Sequence, residues 1–229
     1  MSTKVWAALE NSQQFICEAD TQNIDPSKVT SYLYFKPPRS LESLIGKKKT
    51  AAIAKAMESP LAQVKTMRPW FLSSLLILKM EKNPGASMDV SLQTHAADFK
   101  KNLIFLETYD QQIEMLAGIN EKEMAEALYE MTADMAETKK NYKMMGNLYR
   151  GGDAKKLVAF TSKEMGKIPG MEAKLLYTRN KNWIPKLTGA MKKRSTFAAV
   201  GLAHLVGKGS VVSLLRKQGY KVTPVSTGH

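Results

Sequence analysis

Three short apolar runs, each leading into an ionisable side chain, constrain this chain most. Phe15-Ile16-Cys17 runs into Glu18, Leu103-Ile104-Phe105-Leu106 runs into Glu107, and Phe197-Ala198-Ala199-Val200 leads through a glycine turn to His204. They read as strands at 14–19, 103–106 and 196–200, the second of them fully buried. Long stretches with helical patterning separate them, and strands that alternate with helices build a parallel sheet. The expected fold is α/β: a mixed, mostly parallel sheet with flanking helices. Two further short strands are expected at 32–35, stopped by Pro37-Pro38, and at 220–223, stopped by Pro224.

The helix signals fill the rest. Helices are expected at 4–11, 69–80, 88–100 and 211–217, with shorter ones after Ser40, Thr50 and Pro60. Ser40 is a weak cap, because Ser43 and not Glu or Gln stands three residues on. Gly46 ends that helix, and Asn83-Pro84-Gly85 is a turn. Asn120 and Asp153 cap further helices, and 171–183 is another. Met124, Leu128, Met131 and Met135 recur at helical steps, with acids and lysines on the other faces. That stripe suits core packing better than copper binding. The block at about 111–190 reads as a large helical insertion within one domain spanning 1–229.

The ionisable groups at the ends of the apolar runs carry the functional signal. In a mostly parallel sheet the downstream strand ends converge on one crevice. Glu18, Glu107 and His204 would meet there. Arg179 joins them as a fourth misfit: with Leu176 and Trp183 it shares one apolar helix face, so it needs an acidic partner or an anionic ligand. The plainer alternatives are carboxylates that reach solvent past the strand ends, a hydrogen-bonded histidine in a turn, and an arginine whose stem packs while its head is solvated. Two carboxylates and one histidine suit a hard or borderline divalent metal. No His-Glu-x-x-His helix is present; His95 reads as a surface residue and His229 is the terminus.

Composition narrows the partners. The single cysteine, Cys17, excludes an internal disulfide and reads as a small core residue. The formal charge is +13, yet only Lys47-Lys48-Lys49 and Lys192-Lys193-Arg194 form runs, and neither is interleaved with aromatics. A solvated basic surface is expected, with no specific nucleic-acid partner. No run approaches the ~20 apolar residues of a membrane span, so no transmembrane segment is expected. Residues 1–20 lack the pattern of a secretory signal.

Taken in order, five segments resemble the TraB/PrgY/GumN family, which includes the Tiki proteases. They are Tyr34-Phe35-Lys36-Pro37-Pro38 with Ser40-Leu41, Arg68-Pro69-Trp70-Phe71-Leu72, Leu106-Glu107-Thr108, Thr178-Arg179-Asn180-Lys181-Asn182-Trp183, and Val200-Gly201-Leu202-Ala203-His204-Leu205. They resemble the family's "sL..lL", "kPWf", "gLEt", "eRNrnW" and "vGagHl" segments, and the match extends over about 5–225. Asp89 lies in a helix where the family often has an acid. The resemblance implies a mixed α/β fold related to erythromycin-esterase-like and haem-binding ChaN-like proteins. For Tiki relatives it implies peptide cleavage dependent on a divalent metal, Mn, Co or Zn. Those relatives use two Gly-x-x-His motifs plus acids, and Gly201-Leu202-Ala203-His204 matches the second.

The first Gly-x-x-His motif normally lies upstream of the segment resembling 5–20, and none is present there. The resemblance therefore implies an incomplete or shortened member, with weakened or absent hydrolase activity. A lost central strand would leave an edge that drives homo-oligomerisation or is closed by another strand. It also implies a periplasmic or secreted setting if an upstream export signal has been removed.

Two functional expectations follow. In the first, a hydrolase acts on a peptide or small molecule: His204, Glu18 and Glu107 bind the metal, Glu107 alternatively serves as general base, and Arg179 holds an anionic group or neutralises an oxyanion. In the second, a non-catalytic module binds haem, a peptide or a protein in the same cleft. Trp70 and Trp183 are expected in the core.

Overall fold

The computed structural model describes residues 2–81, 85 and 87–226. Part of the expected turn at Asn83-Pro84-Gly85, and His229, lie outside the described residues. The chain opens with α1 (Thr3–Glu10), β1 (Gln14–Cys17), α2 (Pro26–Leu33), α3 (Leu41–Ala56), α4 (Leu61–Val64) and α5 (Pro69–Met80). It continues through α6 (Met88–Asp98), β2 (Asn102–Phe105), α7 (Tyr109–Ala117), α8 (Glu121–Ala133), α9 (Met135–Arg150) and α10 (Ala154–Met165). A π-turn at Ala173–Tyr177 leads into α11 (Thr178–Met191), followed by β3 (Thr196–Ala199), a 3-10 turn at Leu202–His204 and α12 (Val211–Lys217).

The chain divides into two compact units. The first comprises Met1–Ile24, Gly85–Gln112 and Ala173–His229. It holds a three-stranded, all-parallel sheet in the order β2-β1-β3, with Phe15 opposite Leu103 and Phe197. Side chains alternate across a strand, so each face packs on different helices. Phe15 and Cys17, with Leu103, Phe105 and Phe197, pack against Leu9 of α1 and Leu92 and Ala96 of α6. Ile16 and Ile104 pack against Trp183, Ile184 and Leu187 of α11 and Val211 of α12. The result is a helix–sheet–helix sandwich. Among the described residues only the central strand, β1, is buried throughout.

That explains one correction: β2 is an edge strand and is only partly covered, not fully buried. Residues 220–226 form no strand. Gln14, polar at the start of β1, is satisfied in place: its Nε2 donates to Ala190 O at 2.9 Å and Thr196 Oγ1 at 2.7 Å.

The second unit, Asp25–Pro84 with Ile113–Glu172, is built from helices. Its core gathers Leu41, Ile53, Leu72, Leu76 and Leu128, all fully buried, with Met131 and Met135 packed against them. The methionine stripe is core, although Asp134 breaks it into two helices. The expected strand at 32–35 is instead the end of α2 and a single antiparallel bridge, Tyr34 to Met67. Ser40 caps α3 better than its sequence suggested, because Ser43 itself completes a reciprocal capping box. Gly46, at φ +82° and ψ 160°, leaves helical geometry and divides the α3 span into two helices, as expected of the residue that ends the first. No helix among the described residues is long and apolar enough to cross a membrane.

Candidate functional site

All four misfit side chains lie in the first unit, and they meet around the Arg179 guanidinium. Two backbone bonds join the chains just past the paired register of β1 and β2: Leu106 N–H donates to Cys17 O and Glu107 N–H to Glu18 O, both at 2.9 Å. This draws Glu18 and Glu107 alongside each other. Val200 and Gly201 follow β3 on the other side of β1, and the 3-10 turn behind them carries His204. Arg179 reaches in from the first turn of α11, with its Cζ 4.7 Å from the centroid of the Trp183 ring.

A guanidinium has five N–H groups, and here all five are used. Nε donates to Glu107 Oε1 and Oε2 at 3.0 and 3.2 Å. Nη1 donates to Leu175 O and to His204 Nε2, both at 3.1 Å. Nη2 donates to Glu18 Oε2 at 2.6 Å and also to Glu107 Oε1. The arginine stays charged: the carboxylates of Glu107 and Glu18 raise its pKa against the cost of burial.

The carboxylates are engaged further. Glu18 Oε1 accepts from the Gly201 N–H at 2.7 Å, and Oε2 from Gln112 Nε2 at 3.3 Å. Glu107 Oε2 accepts from the Trp183 indole N–H at 3.2 Å. Space as well as polarity shapes this corner: a Cβ on Gly201 would lie 3.3 Å from Glu18 Oε1.

His204 is buried and neutral. Burial, and after it the Arg179 charge, push its pKa down to about 4, against the pull of Glu18 and Glu107. Its Nδ1 lies 2.6 Å from Asn180 Oδ1, while Asn180 Nδ2 donates to Gly209 O at 2.9 Å. The amide oxygen thus faces the ring, so Nδ1 carries the proton and Nε2 accepts from Arg179. The ring also packs on Trp183, centroid to centroid 4.4 Å.

Asn180 was missed as a site residue from sequence. The available signal was a polar residue three positions before Trp183 and four before Ile184, on a face that is buried; it is 1% exposed. Of the other candidates, Asp89 sits in the first turn of α6, its carboxyl raised by partial desolvation and then by the Glu18 charge. Cys17 is buried, and burial raises its thiol to about 12, ahead of Asp89, Asp20 and Glu18. That makes it a packing residue. His95 is a partly covered surface residue: it lies between Trp6 and Phe99, 3.0 Å from Glu10 Oε1.

The chemistry of the donors, two carboxylates and a neutral imidazole, suits a divalent cation, but their arrangement does not. Glu18 Oε2, both Glu107 oxygens and His204 Nε2 all face the guanidinium, which occupies the place between them. Among the described residues no group of three or more His, Cys, Asp and Glu is placed to hold a metal ion.

Fold and site define the class: a parallel α/β domain whose strand ends converge on an arginine-centred polar cluster. The chain belongs to the TraB/PrgY/gumN family, whose model matches residues 1–224. Neither a curated protein nor a solved structure matches it significantly.

Proposed function

We propose that this chain is a ligand-binding member of its family, which holds a peptide or small molecule at the C-terminal ends of its strands without hydrolysing it. One observation carries this reading: every ionisable group of the Arg179 cluster already has a partner inside the protein. Hydrolysis needs a base free to activate water, or a cation that acidifies bound water. Glu107, the candidate base, accepts hydrogen bonds on both oxygens. His204 uses both ring nitrogens. A ligand meets the edge of the cluster instead. Glu18 is its most exposed member, at 23% of its side chain. Tyr177 and Leu205, exposed next to the elements that carry Arg179 and His204, offer apolar contact.

A second reading keeps the hydrolase: Mn, Co or Zn on His204, Glu18 and Glu107. Its support is the convergence of these three side chains from three strand ends, and it requires Arg179 to leave the cluster. The test is a fluorescence-quenched mixed peptide library incubated with the full chain, with and without each metal. Nuclear magnetic resonance follows the Trp183 indole N–H and the Gly201 amide in parallel. Shifts without cleavage are expected. Metal-stimulated cleavage that disappears in His204→Ala would replace the binding reading with the hydrolase.

A further inference from the structure

We infer that Arg179 is the resident cation of this crevice: its guanidinium keeps divalent metals out, and its removal uncovers a latent metal site made of Glu18, Glu107 and His204. The inference rests on the metal-free reading above and adds the residue that enforces it.

Three observations carry it. The first is donor use. Each of the three side chains turns at least one donor atom toward the same guanidinium: Glu18 Oε2, both Glu107 oxygens and His204 Nε2. A metal could enter only by breaking these bonds and by sitting next to a tethered positive charge, which electrostatics opposes.

The second is the histidine. A metal-binding imidazole offers one nitrogen while the other donates to an outer oxygen that fixes the ring. Asn180 Oδ1 already plays that outer part at Nδ1. His204 is therefore oriented as a ligand, with Nε2 aimed at a cation that happens to be an arginine.

The third is distance. His204 Nε2 and Glu18 Oε1 are 3.9 Å apart. Two ligands about 2.1 Å from a tetrahedral ion lie about 3.4 Å from each other. A shift of about half an ångström brings this pair to binding distance, and Glu18 Oε1, which accepts from the Gly201 N–H and not from the guanidinium, keeps a second lone pair for the ion. A divalent ion would balance two carboxylates, which one guanidinium does not.

The experiment uses the untagged full chain as wild type, Arg179→Lys, Arg179→Met, His204→Ala and Arg179→Met with His204→Ala. Cobalt(II) absorption reports coordination, and competition with a chromophoric chelator reports zinc affinity. Wild type and Arg179→Lys should give no cobalt bands and leave zinc on the chelator. Arg179→Met should bind one cobalt per chain and hold zinc at least a hundredfold more tightly than wild type, and the added His204→Ala should abolish both. Cobalt bands in wild type that vanish in His204→Ala would overturn the inference. So would a folded Arg179→Met chain that takes no more zinc than wild type, an outcome that leaves the peptide-binding reading standing. If Arg179→Met is unfolded alone, recovery of wild-type circular dichroism with zinc but not magnesium supports the latent site; no recovery overturns it.

Discussion

Among the described residues two arginines are mostly buried against glutamate, one in each compact unit, and they do different things. Arg68, in the helical unit, donates from Nε to Glu121 Oε1 at 2.6 Å and from Nη2 to Ala117 O at 2.8 Å. It ties the start of α5 to the end of α7 and the first turn of α8, where an acid also suits the helix dipole. Arg39, far more exposed, shares the same carboxylate. Arg179 spends all five N–H groups on two carboxylates, a carbonyl and a histidine. Arg68 is a clamp among helices that holds one carboxylate and one carbonyl. Arg179 is the centre of a closed network, where its removal takes a hydrogen-bond partner from several buried groups at once. Exposure does not separate the two, at 17% and 13% of their side chains; the number of groups that depend on each does.

That contrast can be broken by experiment. The largest effect is expected from Arg179→Met without added metal, which should lower unfolding stability by about 3–5 kcal/mol, the usual cost of removing one side of a buried ion pair. Urea denaturation at neutral pH measures it; a loss no larger than that of Arg68→Met would erase the distinction.

Next comes pH. The folded His204 pKa, about 4, lies below its ordinary 6.5. Between those values the unfolded chain binds more protons than the folded one, so stability rises with pH there. It is fully present above about 6.5 and is lost as pH falls toward 4, by up to about 3 kcal/mol. The drop should shrink in His204→Gln, and an identical pH profile in both proteins would show that the histidine is not held neutral.

Arg68→Met should cost less, about 1.5–3 kcal/mol, the range for hydrogen bonds to charged groups. A combined Arg68→Met, Arg179→Met chain would test whether the two losses add. Arg39→Ala should cost under about 1 kcal/mol, because a pair with one exposed partner contributes little. A thermal melt shifted more than in Arg68→Met would mean that Arg39 is the real clamp on Glu121.

Much of this was legible before any coordinates. Local patterns announced β1, β2, β3, α5 and α12, because apolar period, proline and cap residues act within a few positions. The positions of Glu18, Glu107 and His204 after apolar runs, and of Arg179 within an apolar helix face, were visible for the same reason. The failures were also physical. Residues 220–223 have strand composition but pair with no strand; composition reports what a segment tolerates, and pairing needs a partner edge. Residues 32–35 read as a strand, but α2 continues to Leu33 and only Tyr34 forms a bridge. Asn180 was passed over because a lone asparagine gives no hint of which buried groups await it.

The sequence by itself determined the α/β class, the family, and which four side chains were out of place. It could do so because burial preference and secondary-structure period are local properties of residue type. Only the tertiary structure decided what those side chains do to one another. The Glu18–Arg179 pair spans 161 positions of chain, and which lone pair a guanidinium takes depends on tenths of an ångström between elements that share no local signal. Three donors that read as metal ligands in the sequence are, in the folded chain, ligands of an arginine.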